Sequence, residues 1–108
     1  MTSLNVHESF SHKNPKQHTE IIHYNQNKER EGEYVSYYDN GNIREKSHYI
    51  NGELDGIQLL FNENGELEET ISYKKGLKHG DHFIYKNTKI VTKNRYDNGH
   101  LIKECNLL

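Results

Sequence analysis

Tryptophan is absent from the 108 residues, and cysteine, proline and methionine occur once each. With Cys105 as the sole thiol, no intrachain disulfide can form. Pro15 is the only residue barred from donating a backbone hydrogen bond, so nothing after it interrupts a strand ladder. No stretch approaches the roughly 18 apolar residues of a membrane-spanning helix, and no basic segment followed by an apolar one opens the sequence. Neither a span nor an export signal is expected, and the expected location is the cytoplasm. Apolar material is itself scarce. Hydrophobic residues make up 31% of the chain against 28% charged, and the mean hydropathy is -1.09. A chain of this size buries only about two-thirds of its unfolded surface. A thick core is therefore excluded, and a single sheet with a thin core is expected, covered in part by a tail, a second subunit or a partner.

What the sequence does have is period. Gly32, Gly56 and Gly80 stand 24 residues apart, as do Gly41 and Gly65, and Gly52 and Gly76. Tyr24, Tyr49, Tyr73 and Tyr96 follow at intervals of 25, 24 and 23. Glu20-Ile21-Ile22-His23-Tyr24 matches Glu45-Lys46-Ser47-His48-Tyr49, so the first of them reads as the second half of a truncated leading unit. Fixed self-similarity over 20 to 50 residues marks a repeat architecture. Within each unit the period is two: Val35 and Tyr37, Leu59 and Phe61, Phe83 and Tyr85 alternate with more mixed neighbours. That alternation predicts half-buried strands. Glu45 and Glu69, with Glu20 in phase, fall on the row read as inward. Asn40-Gly41 and Asn64-Gly65 sit between strand halves, where a type I′ turn needs positive φ at both central positions. The third unit has Lys86-Asn87-Thr88-Lys89 at this place, one residue short, and a different turn is expected. The predicted fold is all-β: an elongated, single-layer antiparallel meander of about three 24-residue hairpin repeats over residues 16–108. Residues 1–15 form a tail or cap.

The pattern Gly-x-x-x-x-[Tyr/Phe], a turn, an apolar residue and Glu, then Tyr-x-[Asn/Lys]-Gly-x-x-x-Gly, resembles the MORN repeat. The closest form is the bacterial variant found in small antitoxin- or immunity-like proteins. The resemblance runs from about Lys16 to Glu104. The tryptophan often found shortly after the second glycine is missing, and Tyr34, Gln58 and His82 stand there. The resemblance implies a twisted sheet, one hairpin per repeat, used for binding or scaffolding without catalysis.

The residues themselves agree with a non-enzymatic reading. Glu45 and Glu69 lie two strands apart, about 10 Å, too far for a proton-sharing dyad. His23 and His48 are separated likewise, and His79, His82 and His100 lack a metal-ligand spacing. Every glycine belongs to a turn, so no phosphate loop is present. No cofactor and no metal is expected. Charge is unevenly spread: residues 29–69 carry eleven acids and three bases, and residues 70–108 carry eight bases and three acids. An acidic, aromatic-rich surface would steer a basic partner. The predicted function is thus an inhibitor of antitoxin or immunity type that masks a basic toxin or effector, with Tyr34, Tyr38, Glu53, Asp55, Glu63, Glu66 and Glu68 as partner-binding residues and the two tyrosines exposed. The alternative is a scaffold or membrane-peripheral module that meets anionic lipid through the basic residues between Lys74 and Arg95. Nucleic acid is disfavoured as main partner by the overall acidity. The strand edges at Glu20–Tyr24 and Leu101–Leu108 are expected to be open to pairing with a second copy.

Overall fold

The computed structural model describes residues 5–108. Ten strands follow one another: β1 (Asn5–Phe10), β2 (His18–Tyr24), β3 (Arg30–Tyr37), β4 (Ile43–Ile50), β5 (Glu53–Leu54), β6 (Gly56–Phe61), β7 (Leu67–Lys74), β8 (Leu77–Lys86), β9 (Lys89–Asp97) and β10 (His100–Asn106). All pairings are antiparallel between sequence neighbours, with β4 continuing onto β6 past the short β5. The result is one open meander, 45 × 32 × 18 Å, as the alternating pattern requires. The start of the chain carries a strand that the period did not signal: β1 pairs with β2 along its length. The segment Glu20–Tyr24 is therefore paired on both sides, and the free edges of the described sheet are β1 and β10. Leu4 and the three residues before it, part of the predicted tail or cap, lie outside the described residues.

Two kinds of register slip recur and give the repeat its shape. Within each hairpin the returning strand holds one extra residue, at Arg44, Glu68 and Val91. Between hairpins the outgoing strand holds two extra residues, around Gly32, Gly56 and Gly80. Those three glycines have φ of 97°, 94° and 100°, which L side chains rarely adopt. Such bulges bend a strand and strengthen its twist.

The bulges also decide the faces, and here the strand alternation misleads. Across the ladder, Val35, Leu59 and Phe83 pair with Lys46, Thr70 and Lys93, whereas Glu45 pairs with Ser36 and Leu60. Paired residues share a face. Glu20, Glu45 and Glu69 therefore lie opposite Val35, Leu59 and Phe83, not in one inward row with them. Most of the thin core follows the glutamate face, where the row Ile22, Tyr34, Ser47, Ile71, His82 and Asn94 is buried, while Val35 is buried on the other face. Leu107 and Leu108 cover no inward row: they are 50% and 93% exposed.

Turn chemistry is distributed differently from the Asn-Gly expectation. Asn40 and Asn64 keep negative φ, and only Gly41 and Gly65 are left-handed. The amides of Gly41 and Gly65 reach the carbonyls of Tyr38 and Asn62 at 2.9 and 3.0 Å. That is a type I turn closed by a glycine bulge, the usual three-residue hairpin loop. The two-residue turns with both φ positive are the connections between units, Asn51-Gly52, Lys75-Gly76 and Asn98-Gly99. Asn87-Thr88, at φ 52° and 66°, is of the same kind, so the shortened third unit does use a different turn from the first two. A β-branched residue at positive φ is strained. Thr88→Gly is expected to raise the unfolding free energy by about 1 kcal/mol in urea titrations followed by tyrosine fluorescence. An unchanged midpoint would mean that Thr88 carries no strain.

Candidate partner-binding surface

Each glutamate of the inner row is held by a side chain from the next strand. The Tyr34 hydroxyl donates to Glu20 Oε2 at 2.7 Å. Gln58 Nε2 donates to Glu45 Oε2 at 2.9 Å, and the Ser47 hydroxyl adds a second bond at 2.7 Å. His82 Nε2 lies 2.8 Å from Glu69 Oε1. Tyr34, Gln58 and His82 stand 24 residues apart, so one position of the repeat serves as a carboxylate-binding slot. The donors are diagonal neighbours across a strand pair, neither turn amides nor lysines. Burial first, and the Glu20 carboxylate second, push the Tyr34 hydroxyl above the usual tyrosine range. Burial, with Glu45 and Glu69 nearby, raises Tyr73 in the same direction. Asn94 Oδ1 is buried beside His82 with no hydrogen-bond partner.

Tyr34 is therefore not an exposed contact residue: it is 8% exposed and committed to Glu20, with Tyr49 packed edge-on at 6.4 Å and the Arg30 guanidinium 5.0 Å from its ring. Tyr38 is half-buried and donates its hydroxyl to the Phe61 carbonyl at 2.6 Å. Both tyrosines hold the sheet together.

The five acids do not form one cluster. Glu53 and Asp55 flank the connections between units, whereas Glu63, Glu66 and Glu68 lie at the hairpin turns on the other long edge. The six residues of β6 separate the two groups by about 20 Å. Asp55 has a framework duty: its Oδ2 accepts the Lys75 amide, as Glu31 accepts the Asn51 amide and His79 Nδ1 the Asn98 amide. These acceptors stand 24 residues apart, a spacing visible in the sequence but unused because their residue types differ. Gly52, Gly76 and Gly99 complete the stacking by donating to the carbonyls of Arg30, Leu54 and Lys78. On the other edge, Glu63 is fixed by its carbonyl, which accepts Asn40 and Asn42 side-chain amides at 2.8 and 2.9 Å, and its carboxylate faces solvent. Asn62 tethers Glu66 through Nδ2 at 3.1 Å. Glu68 is the exposed bulge residue. The hairpin edge thus presents Glu63, Glu66 and Glu68 on a backbone held by side-chain hydrogen bonds.

Apart from Lys93, Arg95 and Lys103, which are neighbours across β9 and β10, the C-terminal cations are dispersed. Lys74 and Lys75 sit on one edge and Lys86 and Lys89 on the other, Lys78 lies 5.0 Å over the Tyr96 ring, and Arg95 pairs with Asp81 at 2.9 Å. The histidines are used singly, His82 on Glu69 and His79 on the turn amide of Asn98. Among the described residues no group of three His, Cys, Asp or Glu side chains is placed to hold a metal ion.

Residues 30–51 and 54–75 each match the family described as MORN repeat variant. The two matches coincide with the β3–β4 and β6–β7 hairpins. The β8–β9 hairpin, with the altered turn at Asn87-Thr88, falls outside them. Repeats of this variant are generally protein- or membrane-binding modules. Searches of curated proteins and of solved structures returned no match.

Proposed function

We propose that the protein is a non-catalytic binding module that masks a basic protein partner, in the manner of an antitoxin or immunity protein. The observation that carries this reading is the hairpin edge, where Glu63, Glu66 and Glu68 are exposed on a backbone held by Asn40, Asn42 and Asn62. A preformed anionic edge costs little ordering on association and accelerates encounter with a cationic surface. The half-buried Tyr37, Phe61 and Tyr85, at the hairpin-turn ends of β3, β6 and β8, add aromatic contact area beside it. Glu53 stands on the opposite edge and contributes to the long-range field only.

The test is capture of the partner from the native host, followed by association kinetics with the purified pair. The variant Glu63→Lys, Glu66→Lys, Glu68→Lys is expected to associate at least about tenfold more slowly at low salt, with the difference shrinking as salt screens it. Glu53→Lys should change the rate far less. Equal rates for both variants and the parent protein would overturn the reading. So would binding confined to anionic liposomes and abolished by substituting Lys74 and Lys75, which would favour the membrane-peripheral alternative.

A further inference from the structure

On the face opposite the glutamates, the last three long strands arrange six side chains in a two-by-three grid. Register pairs Phe83 with Lys93 and Lys93 with Cys105, and it pairs Asp81 with Arg95 and Arg95 with Lys103. Neighbouring strands lie about 4.8 Å apart and alternate residues of one strand about 7 Å apart. These six residues, with Asn94, line a half-open cleft of about 460 Å³.

The charges in this cleft do not balance. Asp81 is taken by Arg95 Nη1 at 2.9 Å. Among the described residues, Lys93 and Lys103 form no ion pair. One wall is therefore cationic, with two point charges and a planar guanidinium that keeps further N–H donors available. The adjoining wall is the half-buried Phe83 ring. An inorganic anion would use the first wall and ignore the second. A neutral ring would do the reverse. A ligand that uses both carries a phosphate a few ångströms from a planar heterocycle.

We propose that this cleft binds a nucleotide, with the phosphate held among Lys93, Arg95 and Lys103 and the base against Phe83. Free mononucleotides and single-stranded nucleic acid both supply that unit. The site lies apart from the anionic edge and is independent of the partner proposed for it.

Cys105 reports on the site because it is exposed and is the only thiol. Its rate of reaction with a chromogenic disulfide reagent is measured in the presence of AMP, a short oligothymidylate, inorganic phosphate or adenosine. A nucleotide present at about ten times its dissociation constant should slow the reaction roughly tenfold. Phosphate or adenosine alone should slow it far less. Lys93→Ala with Lys103→Ala should abolish the protection while leaving the urea midpoint in place. Lys93→Arg with Lys103→Arg should keep the protection. Protection by AMP identifies a free mononucleotide as the ligand, and protection by the oligonucleotide alone identifies a strand. Three results would each overturn the proposal: no protection by either nucleotide form, protection that survives the double alanine variant, or phosphate as effective as AMP.

Discussion

Gly56→Val is expected to lower the unfolding free energy by about 3 kcal/mol, a large share of what a domain of this size commands. Gly56 has φ of 94°, and a β-branched side chain is the least able to follow it. The cause is backbone conformation, not crowding: a Cβ built at Gly56 meets nothing closer than His48 Cβ at 4.0 Å. Relaxing φ would remove the two-residue slip between β4 and β6 and shift the register beyond it. The faces would survive a two-residue shift, but every later partner would change, Glu45 meeting Gln58 in place of Leu60, so the chain must keep the strain or lose this pairing. Gly56→Ala should cost less, about 1 to 2 kcal/mol. Gly80→Val should cost about as much as Gly56→Val, since φ there is 100° and a Cβ meets Ser72 Cβ at 3.4 Å, an ordinary contact. Urea unfolding followed by tyrosine fluorescence measures all three variants. A loss below about 0.5 kcal/mol for Gly56→Val would mean that the bulge can be rebuilt without glycine.

These glycines also show what the sequence could and could not reveal. Their 24-residue spacing and the spacing of the tyrosines were enough to place the hairpins and the meander. The spacing does not say that Gly32, Gly56 and Gly80 each absorb two extra residues, because a bulge looks like any glycine until the register is known. Two extra residues leave the faces as they were; the single extra residue at Arg44, which no glycine marks, decides them. Without it, Val35 and Glu45 read as one inward row; with it, they part. The same gap misplaced Tyr34. An aromatic residue at a repeat position beside an acidic stretch reads as a contact, yet its hydroxyl goes to Glu20, which is distant in sequence and diagonal in space. The acids fared similarly: Glu53 and Glu66 are close in sequence, but β6 carries the chain from one edge of the sheet to the other between them. β1 was illegible for a different reason. Asn5 to Phe10 holds no complete period, and its pairing is dictated by the open edge of β2.

Ile71→Ala is expected to cost about 3 kcal/mol, within the range for a buried aliphatic truncation, whereas Ile57→Ala should change stability by less than about 0.5 kcal/mol. The residue types are identical and both lie in the same β6–β7 hairpin, so intrinsic propensity does not separate them. Burial does: Ile71 is 6% exposed and Ile57 is 60% exposed. Ile71 pairs with Gln58 on one side and His82 on the other. It is thus the apolar link between the Glu45–Ser47–Gln58 network and the Glu69–His82–Asn94 group. Alanine there would leave a gap on the glutamate face and let water reach hydrogen bonds that now lie beside a dry side chain. In a repeat sheet each unit is stabilised mainly by its neighbours, so the damage should spread to both flanking hairpins. Backbone hydrogen exchange should quicken in β4 and β8 as well as in β7. Exchange confined to β7, or a loss for Ile57→Ala equal to that for Ile71→Ala, would show that the glutamate face is not the core of the sheet.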